Sequence, residues 1–299
     1  MFLTKQTLGT VSYKLAGLNT LIRPRNIIPS AILSAAGGII ARPNLLEIIK
    51  TPSLLTVPII ITIAILCNSM ILNDFFDIHV DRYNNPTRPL VTGQVTRKEA
   101  LIASAFLYIL SESLSRTYLN HQSALVVRIM NLMILLYTPI FKNICFIKNI
   151  ACAGIIAATP LFSGLSMSDA SNKLLWMLSC TIFAGSVSLE IVLDIRDVAG
   201  DMRSNINTLP VVFGKEFAYH LTRGICLINM LTNFVAVTYL YSFYYATILL
   251  VLQHRTYTGM KHIYVNSFNT QSIKEYADST TFPLISTLVF YCVLALYRL

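Results

Sequence analysis

Long apolar runs separated by polar segments dominate the 299-residue chain. Nine of these runs approach the roughly 20 residues that a helix needs to cross a bilayer. They cover approximately residues 20–40, 53–75, 99–118, 122–141, 148–167, 173–193, 217–238, 239–256 and 281–298. Glu112, Arg116 and Arg128 fall inside or at the ends of the third and fourth runs, so eight spans are the alternative. The pattern predicts an all-α polytopic membrane protein with about nine transmembrane helices.

The polar segments between the runs predict the domain organisation. No low-complexity segment or long polar linker divides the chain, so we expect a single membrane domain over residues 1–299. The three substantial loops are 76–98, 194–216 and 257–280, of which the last holds either a short interfacial helix or a solvated linker. The first two loops follow spans two and six, as a duplicated four-helix unit would require. We therefore expect two repeated units, at about 20–141 and 148–256, and a ninth helix at about 281–298.

Composition supports a membrane location and predicts an orientation. Hydrophobic residues make up 55% of the chain, charged residues only 12%, and the mean hydropathy is +0.62. The net charge of +9 arises from scattered residues rather than a basic run, so we expect no nucleic-acid partner. Most of the 23 Lys and Arg fall on the side of the long loops, which the positive-inside rule makes cytoplasmic.

The start of the chain shows no cleavable signal, and internal spans are expected to direct insertion. The six cysteines occur singly and are expected to pack as small apolar side chains.

Two acidic triplets share one spacing and lie 120 positions apart. They are Asp74-Asp77-Asp81 and Asp194-Asp197-Asp201. Residues i, i+3 and i+7 share one face of a helix, so each triplet can present its carboxylates together. Ionised carboxylates near hydrocarbon cost several kcal/mol each unless they are paired or bind a metal. Because oxygen-only ligands favour Mg²⁺ over Zn²⁺, we predict that the two faces meet around Mg²⁺. The alternative is that the carboxylates lie beyond the helix ends, in water.

The charge balance of such a site predicts an anionic substrate. Mg²⁺ usually keeps coordination positions for substrate phosphate oxygens. Six carboxylates at about −6, two Mg²⁺ at +4 and a diphosphate at about −3 leave about −5. Basic residues of the same loops can neutralise this charge, although the positive-inside rule alone would also place them there: Arg82, Arg88, Lys142, Arg196 and Arg203.

At these residues the chain resembles the UbiA superfamily of intramembrane prenyltransferases. The first family signature, NDxxDxxxD followed by a polar loop that ends in RP, is similar to Asn73–Asp81 and its continuation Asn84–Gly93. The second signature, DxxDxxGD leading into TLP, is similar to Asp194–Asp201 and its continuation Thr208–Gly214. The resemblance extends from about residue 20 to 216.

Shorter matches and two departures accompany the signatures. Arg23–Asn26 is similar to the RPxN that opens the first span of the family. The family's tyrosine, lysine and asparagine after span four correspond to Tyr137, Lys142 and Asn149. The family often has a basic residue where this chain has Leu193, and a glycine where it has Lys148. The first departure removes one phosphate contact, which Lys148 can replace.

The resemblance implies nine helices around an apolar central cavity and a concrete reaction. An allylic isoprenoid diphosphate binds through Mg²⁺, its C–O bond ionises, and a membrane-associated acceptor captures the prenyl group. The implied catalytic residues are Asp77, Asp81, Asp197 and Asp201. The implied metal ligands are Asn73, Asp74, Asp77, Asp81, Asp194, Asp197 and Asp201, of which Asn73, Asp77, Asp197 and Asp201 are the principal ones. The implied substrate-binding residues are Asn73, Arg23, Asn26, Arg82, Arg88, Tyr137, Lys142, Arg196 and Arg203.

The acceptor class has two alternatives. The second signature and Arg23–Asn26 look most like the geranylgeranylglycerol-phosphate geranylgeranyltransferase branch, which implies geranylgeranyl diphosphate and a glycerol-phosphate ether lipid. A phosphorylated acceptor would suit Arg23, Arg25 and Lys148. The loop Asn84–Gly93 is also similar to chlorophyll synthases and to aromatic prenyltransferases that form quinones. Asn68 and Glu190 are further candidates for acceptor contact.

A cation carrier or channel is the alternative from another class, since intramembrane acidic residues also mark ion pathways. Carriers usually place such charges near the bilayer midplane on broken helices. Here the triplets end the spans, beside loops that contain Arg and Lys. This placement favours an anionic headgroup at the membrane interface over a cation in transit.

Overall fold

The computed structural model describes residues 5–168 and 172–297, which form α-helices and two short 3-10 helices, Pro24–Asn26 and Phe141–Asn143. The α-helices are, in chain order, α1 (Lys5–Leu21), α2 (Ile27–Ala41), α3 (Leu45–Lys50), α4 (Ser53–Phe76), α5 (Ile78–Asn84), α6 (Pro89–Thr92), α7 (Arg97–Tyr118), α8 (His121–Tyr137), α9 (Ile147–Met167), α10 (Lys173–Arg203), α11 (Leu209–Phe213), α12 (Lys215–Leu240), α13 (Phe243–Val265), α14 (Thr270–Ser279) and α15 (Thr281–Leu296).

Each of the nine predicted runs falls on one of these helices: α2, α4, α7, α8, α9, α10, α12, α13 and α15. Five described stretches are long and apolar enough to cross a membrane: Ser53–Phe76, Ile147–Met167, Lys173–Arg203, Lys215–Leu240 and Thr270–Leu296. The all-α, multi-pass fold is thereby confirmed. The count of nine spans stays a prediction, because the other helices are shorter or more polar. The duplication of a four-helix unit and the central cavity also stay predictions.

Polar caps define where several helices begin. Asn44, Asn120, Asn172 and Asn269 each accept a hydrogen bond from a backbone N–H in the first turn of the following helix. Thr96 forms a capping box at the start of α7. These side chains satisfy backbone donors that have no partner within the helix. The sequence therefore separates the spans by local chemistry as well as by hydropathy.

Helices α2, α9 and α10 form the centre of the packing. Helix α9 contacts α2, α8 and α10, and α4 contacts α2 and α7. The contact between α2 and α9 is especially close: a Cβ built on Gly37 would lie 2.1 Å from the carbonyl oxygen of Pro160. Only a residue without a side chain permits this approach of two backbones. The contact fixes α9, whose first turns carry side chains of the candidate site.

The structure corrects three predicted boundaries. Helix α10 continues to Arg203, so the segment predicted as loop 194–216 begins as helix and carries the second triplet on it. The predicted loop 257–280 contains α14, in which Ile273 and Tyr276 are buried, so the helical alternative is the right one. Helix α1 precedes the first predicted span and was not predicted.

The cysteines follow their prediction in part. All six are free; Cys67 and Cys226 are buried, and Cys145, Cys152 and Cys292 are half-buried. Cys180 is exposed, which corrects the expectation for that residue.

Candidate active site

The first triplet lies where α4 passes into α5. Helix α4 ends at Phe76, and Asp77, with φ −87° and ψ 7°, is both its C-cap and the N-cap of α5. The backbone hydrogen bonds from Asp77 N to Asn73 O and from Asp81 N to Asp77 O continue across this junction. Asp74, Asp77 and Asp81 are 1%, 7% and 6% exposed. The alternative that these carboxylates lie in water is therefore wrong.

Two arginines converge on Asp74. Arg23 Nη2 lies 2.7 Å from Asp74 Oδ1, and Arg88 Nη1 donates to the same oxygen. Arg23 has φ 50° and ψ 71°, a left-handed conformation that non-glycine residues adopt at a cost of about 1–2 kcal/mol. Such local strain is typical of functional positions. Asp74 thus holds both guanidinium groups beside the first motif, Asn73–Asp81.

The second triplet follows one face of α10. Asp194 and Asp201 are buried, whereas Asp197 is half-buried and accepts two hydrogen bonds from the neighbouring Arg196, at 2.8 and 2.7 Å. Helix α5 of the first motif contacts α10. The structure therefore brings the two motifs to the same region of the protein.

The connection between α8 and α9 reaches both motifs. Lys142 Nζ forms an ion pair with Asp77 Oδ2 of the first motif. Lys148 Nζ lies 2.6 Å from Asp194 Oδ1 of the second, and Asn149 Nδ2 donates to Asp194 Oδ2 at 2.9 Å. Lys142 and Lys148 are only six residues apart in the sequence. They neutralise Asp77 and Asp194, which are 117 residues apart. This connection places both motifs around one centre.

Other predicted residues lie at the edges of this centre. Tyr137 lies at the end of α8 and is half-buried. Asn73 and Asn26 are half-buried. Arg82 and Arg203 are exposed, which leaves them free to contact a ligand only from outside the buried cluster.

The donor set fits a hard cation, although it does not form a closed cage. Among residues 5–168 and 172–297, no three His, Cys, Asp or Glu side chains lie close enough to hold one ion. Asp81 Oδ2 and Asp201 Oδ2, one from each motif, are nevertheless buried and lack a hydrogen-bond partner among the described residues. Buried carboxylate oxygens without partners are costly, and a bound cation would remove that cost. Oxygen donors alone suit Mg²⁺.

Burial also changes the protonation of the first motif. It raises the pKa of Asp81 above its ordinary value, while the hydrogen bond from Asn85 Nδ2 at 2.9 Å and the charge of Arg88 act in the opposite direction. The charges of Asp74 and Asp77 add to the increase. A proton therefore competes for this carboxylate more strongly than for an exposed aspartate.

A polar groove adjoins the arginines. It has a volume of about 460 Å³ and is lined by Asn19, Thr20, Arg23, Pro24, Arg25, Asn85, Thr87 and Arg88. Asn19 and Thr20 come from α1, whose mixed polarity gave no signal of a role in the site. Asn85 and Thr87 belong to the polar loop of the first signature but were not singled out. The arginines of the groove were predicted, and its polar residues from α1 and the loop were not.

Comparison with known proteins settles the family. Residues 29–266 match the model of the UbiA prenyltransferase family. The chain belongs to the UbiA prenyltransferase family. It is accordingly an integral, multi-pass membrane enzyme that transfers prenyl groups, as its signatures predicted.

Relatives share sequence and fold with this chain. Digeranylgeranylglyceryl phosphate synthase of Pyrococcus abyssi is 30% identical over 77% of this chain and 81% of the relative. The synthase of the same name from Thermococcus kodakarensis is 28% identical over 73% of this chain and 76% of the relative. A solved structure that concerns digeranylgeranylglyceryl phosphate synthase in membranes has a TM-score of 0.72 and 23% identity, over 95% of this chain and 99% of that one. A UbiA homologue from Archaeoglobus fulgidus bound to DMAPP and Mg²⁺ has a TM-score of 0.69 and 18% identity, over 94% and 99%. These structures share the fold of this protein.

Proposed function

We propose that this prenyltransferase moves the prenyl group of an allylic isoprenoid diphosphate to a hydroxyl group of a glycerol-phosphate ether lipid. The observation that carries the proposal is the convergence of two acidic motifs on one basic connection, beside a groove with three arginines. Relatives named digeranylgeranylglyceryl phosphate synthase support geranylgeranyl diphosphate as the donor. The excess of basic residues beside both motifs supports a site that faces the cytoplasm.

Mg²⁺ is the proposed cofactor, in line with the metal in the Archaeoglobus homologue. The residues that would hold it are principally Asn73, Asp77, Asp197 and Asp201, with Asp74, Asp81 and Asp194 completing or tuning the set. Bound there, it would supply Lewis-acid stabilisation of the charge that develops on the leaving diphosphate. Asp77, Asp81, Asp197 and Asp201 are the proposed catalytic carboxylates.

The basic side chains are proposed to bind the diphosphate. Lys142, Arg88 and Arg196 neutralise carboxylates in the structure, and each can turn to a phosphate oxygen once its carboxylate has another cationic partner. Tyr137 and Asn73, which are both half-buried, are proposed to orient the donor. The exposed Arg82 and Arg203 extend the positive surface at the entrance.

The polar groove is the proposed position of the acceptor's phosphate. Arg23, Arg25 and Arg88 all line the groove, so three guanidinium groups are available to an anion there. Arginine binds phosphate through two parallel hydrogen bonds, which also fix its orientation. Asn26 follows these arginines directly and completes the proposed substrate contacts. An aromatic acceptor without a phosphate would give these arginines no anionic partner.

The test offers purified protein geranylgeranyl, farnesyl and phytyl diphosphates in turn. Each donor is combined with a glycerol-phosphate monoether or with an aromatic acceptor, and the products are identified by mass. We expect Mg²⁺-dependent release of pyrophosphate and a diether product from the lipid acceptor. Prenylation of only the aromatic acceptor would assign the second acceptor class. Ion flux in proteoliposomes without any pyrophosphate release would overturn enzymatic transfer.

A further inference from the structure

The polar groove and the first acidic motif share three side chains. Arg23 and Arg88 line the groove, and each donates a hydrogen bond to Asp74 Oδ1, Arg23 at 2.7 Å. Asn85 lines the same groove and donates to Asp81 Oδ1 at 2.9 Å. Both aspartates belong to the set proposed to hold Mg²⁺. The proposed acceptor site and the proposed metal site are therefore joined by direct hydrogen bonds.

The two oxygens of Asp74 have different surroundings. Its Oδ1 accepts hydrogen bonds from both arginines, whereas its Oδ2 is buried and has no hydrogen-bond partner among the described residues. The residue is almost completely buried, so it is shielded from bulk water. A buried carboxylate is costly unless a cation balances its charge. In this structure Arg23 and Arg88 are the cations that balance it.

The arginines of the groove keep donors for a second ligand. A guanidinium group carries five N–H donors. Among the described residues, Arg23 and Arg88 each use one of these donors, on Asp74, and both side chains are partly exposed. Arg25 also lines the groove and is exposed. An anion in the groove therefore has three guanidinium groups within its site, and two of them are shared with Asp74.

The charge balance gives the direction of the effect. Three arginines and Asp74 carry about +2 together, which a phosphate monoester of about −2 would offset. Its oxygens compete with the carboxylate for the same N–H donors, and they can accept two parallel hydrogen bonds from one guanidinium. As the arginines turn to the phosphate, the charge of Asp74 is balanced less well. A divalent cation at the first motif then gains affinity, because it restores that balance.

We propose that the acceptor's phosphate and the Mg²⁺-bound diphosphate bind cooperatively, and that Asp74 couples them through Arg23 and Arg88. This inference rests on the proposed function. A phosphate in the groove draws both guanidinium groups from Asp74, and the released carboxylate strengthens the binding of the metal-bound diphosphate. By linkage, the diphosphate strengthens acceptor binding by the same factor. The donor is then held most tightly when an acceptor is present, which limits loss of the prenyl group to water.

The test measures binding without turnover. Inorganic pyrophosphate in a constant excess of Mg²⁺ replaces the donor, and glycerol phosphate replaces the acceptor. Isothermal titration calorimetry of the purified protein in detergent gives the Kd of each ligand with and without saturating amounts of the other. We expect both Kd values to fall by the same factor, about 5–150-fold, the range typical of coupled sites. Glycerol without phosphate is the control ligand and should leave the Kd of pyrophosphate unchanged.

Asp74→Asn tests the coupling residue, because it keeps the shape of the side chain and removes its charge. The coupling factor should fall toward one. Glycerol phosphate alone should bind more tightly to this variant than to the wild type, since the arginines no longer have a carboxylate partner. A purely structural defect would weaken that binding instead. Arg25→Gln is the matched control: its glycerol phosphate binding should weaken while its coupling factor stays at the wild-type value.

The outcomes that overturn the inference are distinct from those that overturn the function. The inference is rejected if glycerol phosphate leaves the wild-type Kd of pyrophosphate unchanged or raises it, or if Asp74→Asn keeps the wild-type coupling factor. If Asp74→Asn does not fold, Arg88→Gln decides, and an unchanged coupling factor rejects the role of Asp74. Prenyl transfer to a glycerol-phosphate lipid without coupling rejects the inference alone. Coupling without transfer to any such lipid rejects the proposed function instead.

Discussion

Lys148 and Asp194 form a buried ion pair, with side chains only 9% and 6% exposed and 2.6 Å between Nζ and Oδ1. The pair ties the first turn of α9 to the acidic face of α10. Removing one member of a buried pair leaves an uncompensated charge in the interior. The pair therefore positions the second motif, and loss of either partner alone destabilises the fold.

We expect Lys148→Met to lower the free energy of unfolding by about 3–5 kcal/mol, the cost typical of breaking a buried pair. Combining it with Asp194→Asn should recover part of this loss, because neither charge then remains unpaired. Thermal unfolding of the purified single and double variants in one detergent measures both effects. Additive losses in the double variant would contradict the energetic coupling.

The two motifs should be needed equally for turnover. Asp77→Ala and Asp201→Ala each remove a carboxylate proposed to hold the metal and should reduce pyrophosphate release by at least about 10²-fold. Both proteins should insert into membranes and elute normally in size-exclusion chromatography. Asp278→Ala, an exposed aspartate of α14, serves as control. Wild-type rates in either motif variant would refute the assignment of the site.

Activity should depend on Mg²⁺ in a way that varies with pH. Chelation should abolish pyrophosphate release, and added Mg²⁺ should restore it. Because burial raises the pKa of Asp81, a proton displaces the metal at a higher pH than an ordinary aspartate would allow. The apparent affinity for Mg²⁺ should therefore weaken as the pH falls. Mg²⁺ titrations at several pH values measure this trend, which Asp81→Asn should flatten.

The groove should recognise the phosphate of the acceptor. Arg25→Gln removes one of its guanidinium groups and should raise the KM of a glycerol-phosphate acceptor by roughly tenfold, the value of a charge-assisted hydrogen bond. The KM of the prenyl diphosphate should not change. A glycerol monoether without phosphate is the control acceptor, since its KM should be the same in both proteins. Equal effects of the substitution on the KM of both acceptors would show that the acceptor's phosphate binds outside this groove.

The contact between α2 and α9 should tolerate no added side chain. Gly37→Ala introduces a Cβ 2.1 Å from Pro160 O, so the helices must separate, at a cost of about 1–3 kcal/mol. Gly154→Ala, on the partner helix α9, is the matched control, because a Cβ there meets no atom within 4 Å. Thermal unfolding should distinguish the two. Similar stability of both variants would show that the helices adjust without strain.

The helices and both motifs were predictable because their signals are local. Continuous apolar runs identify spans, and carboxylates at the end of such runs are rare enough to be noticed. The extension of α10 to Arg203 was not predicted, because the backbone hydrogen bonds of a helix continue beyond the end of its apolar run. Helix α1 was missed for a similar reason, since its mixed composition resembles a polar terminus.

The partners within the site could not be predicted in the same way. Arg23 and Asp74 are 51 positions apart, and no local pattern tells which cation meets which carboxylate. Three basic residues that were expected to bind substrate form ion pairs with aspartates of the site in this structure: Arg88, Lys142 and Arg196. Glu190 carried only the weak signal of an acidic residue one turn before a motif.

The internal pairing of Lys142, Lys148 and Arg88 has a consequence for selectivity among cellular anions. A free phosphate or nucleotide that enters this region finds most of the buried cations occupied and must compete with carboxylates that are already in place. A ligand that arrives with its own divalent ions can satisfy both halves of each pair at once. These ion pairs would thus favour metal-bound diphosphates over abundant anions that carry no divalent ion. This selection would act before the protein contacts the isoprenoid chain.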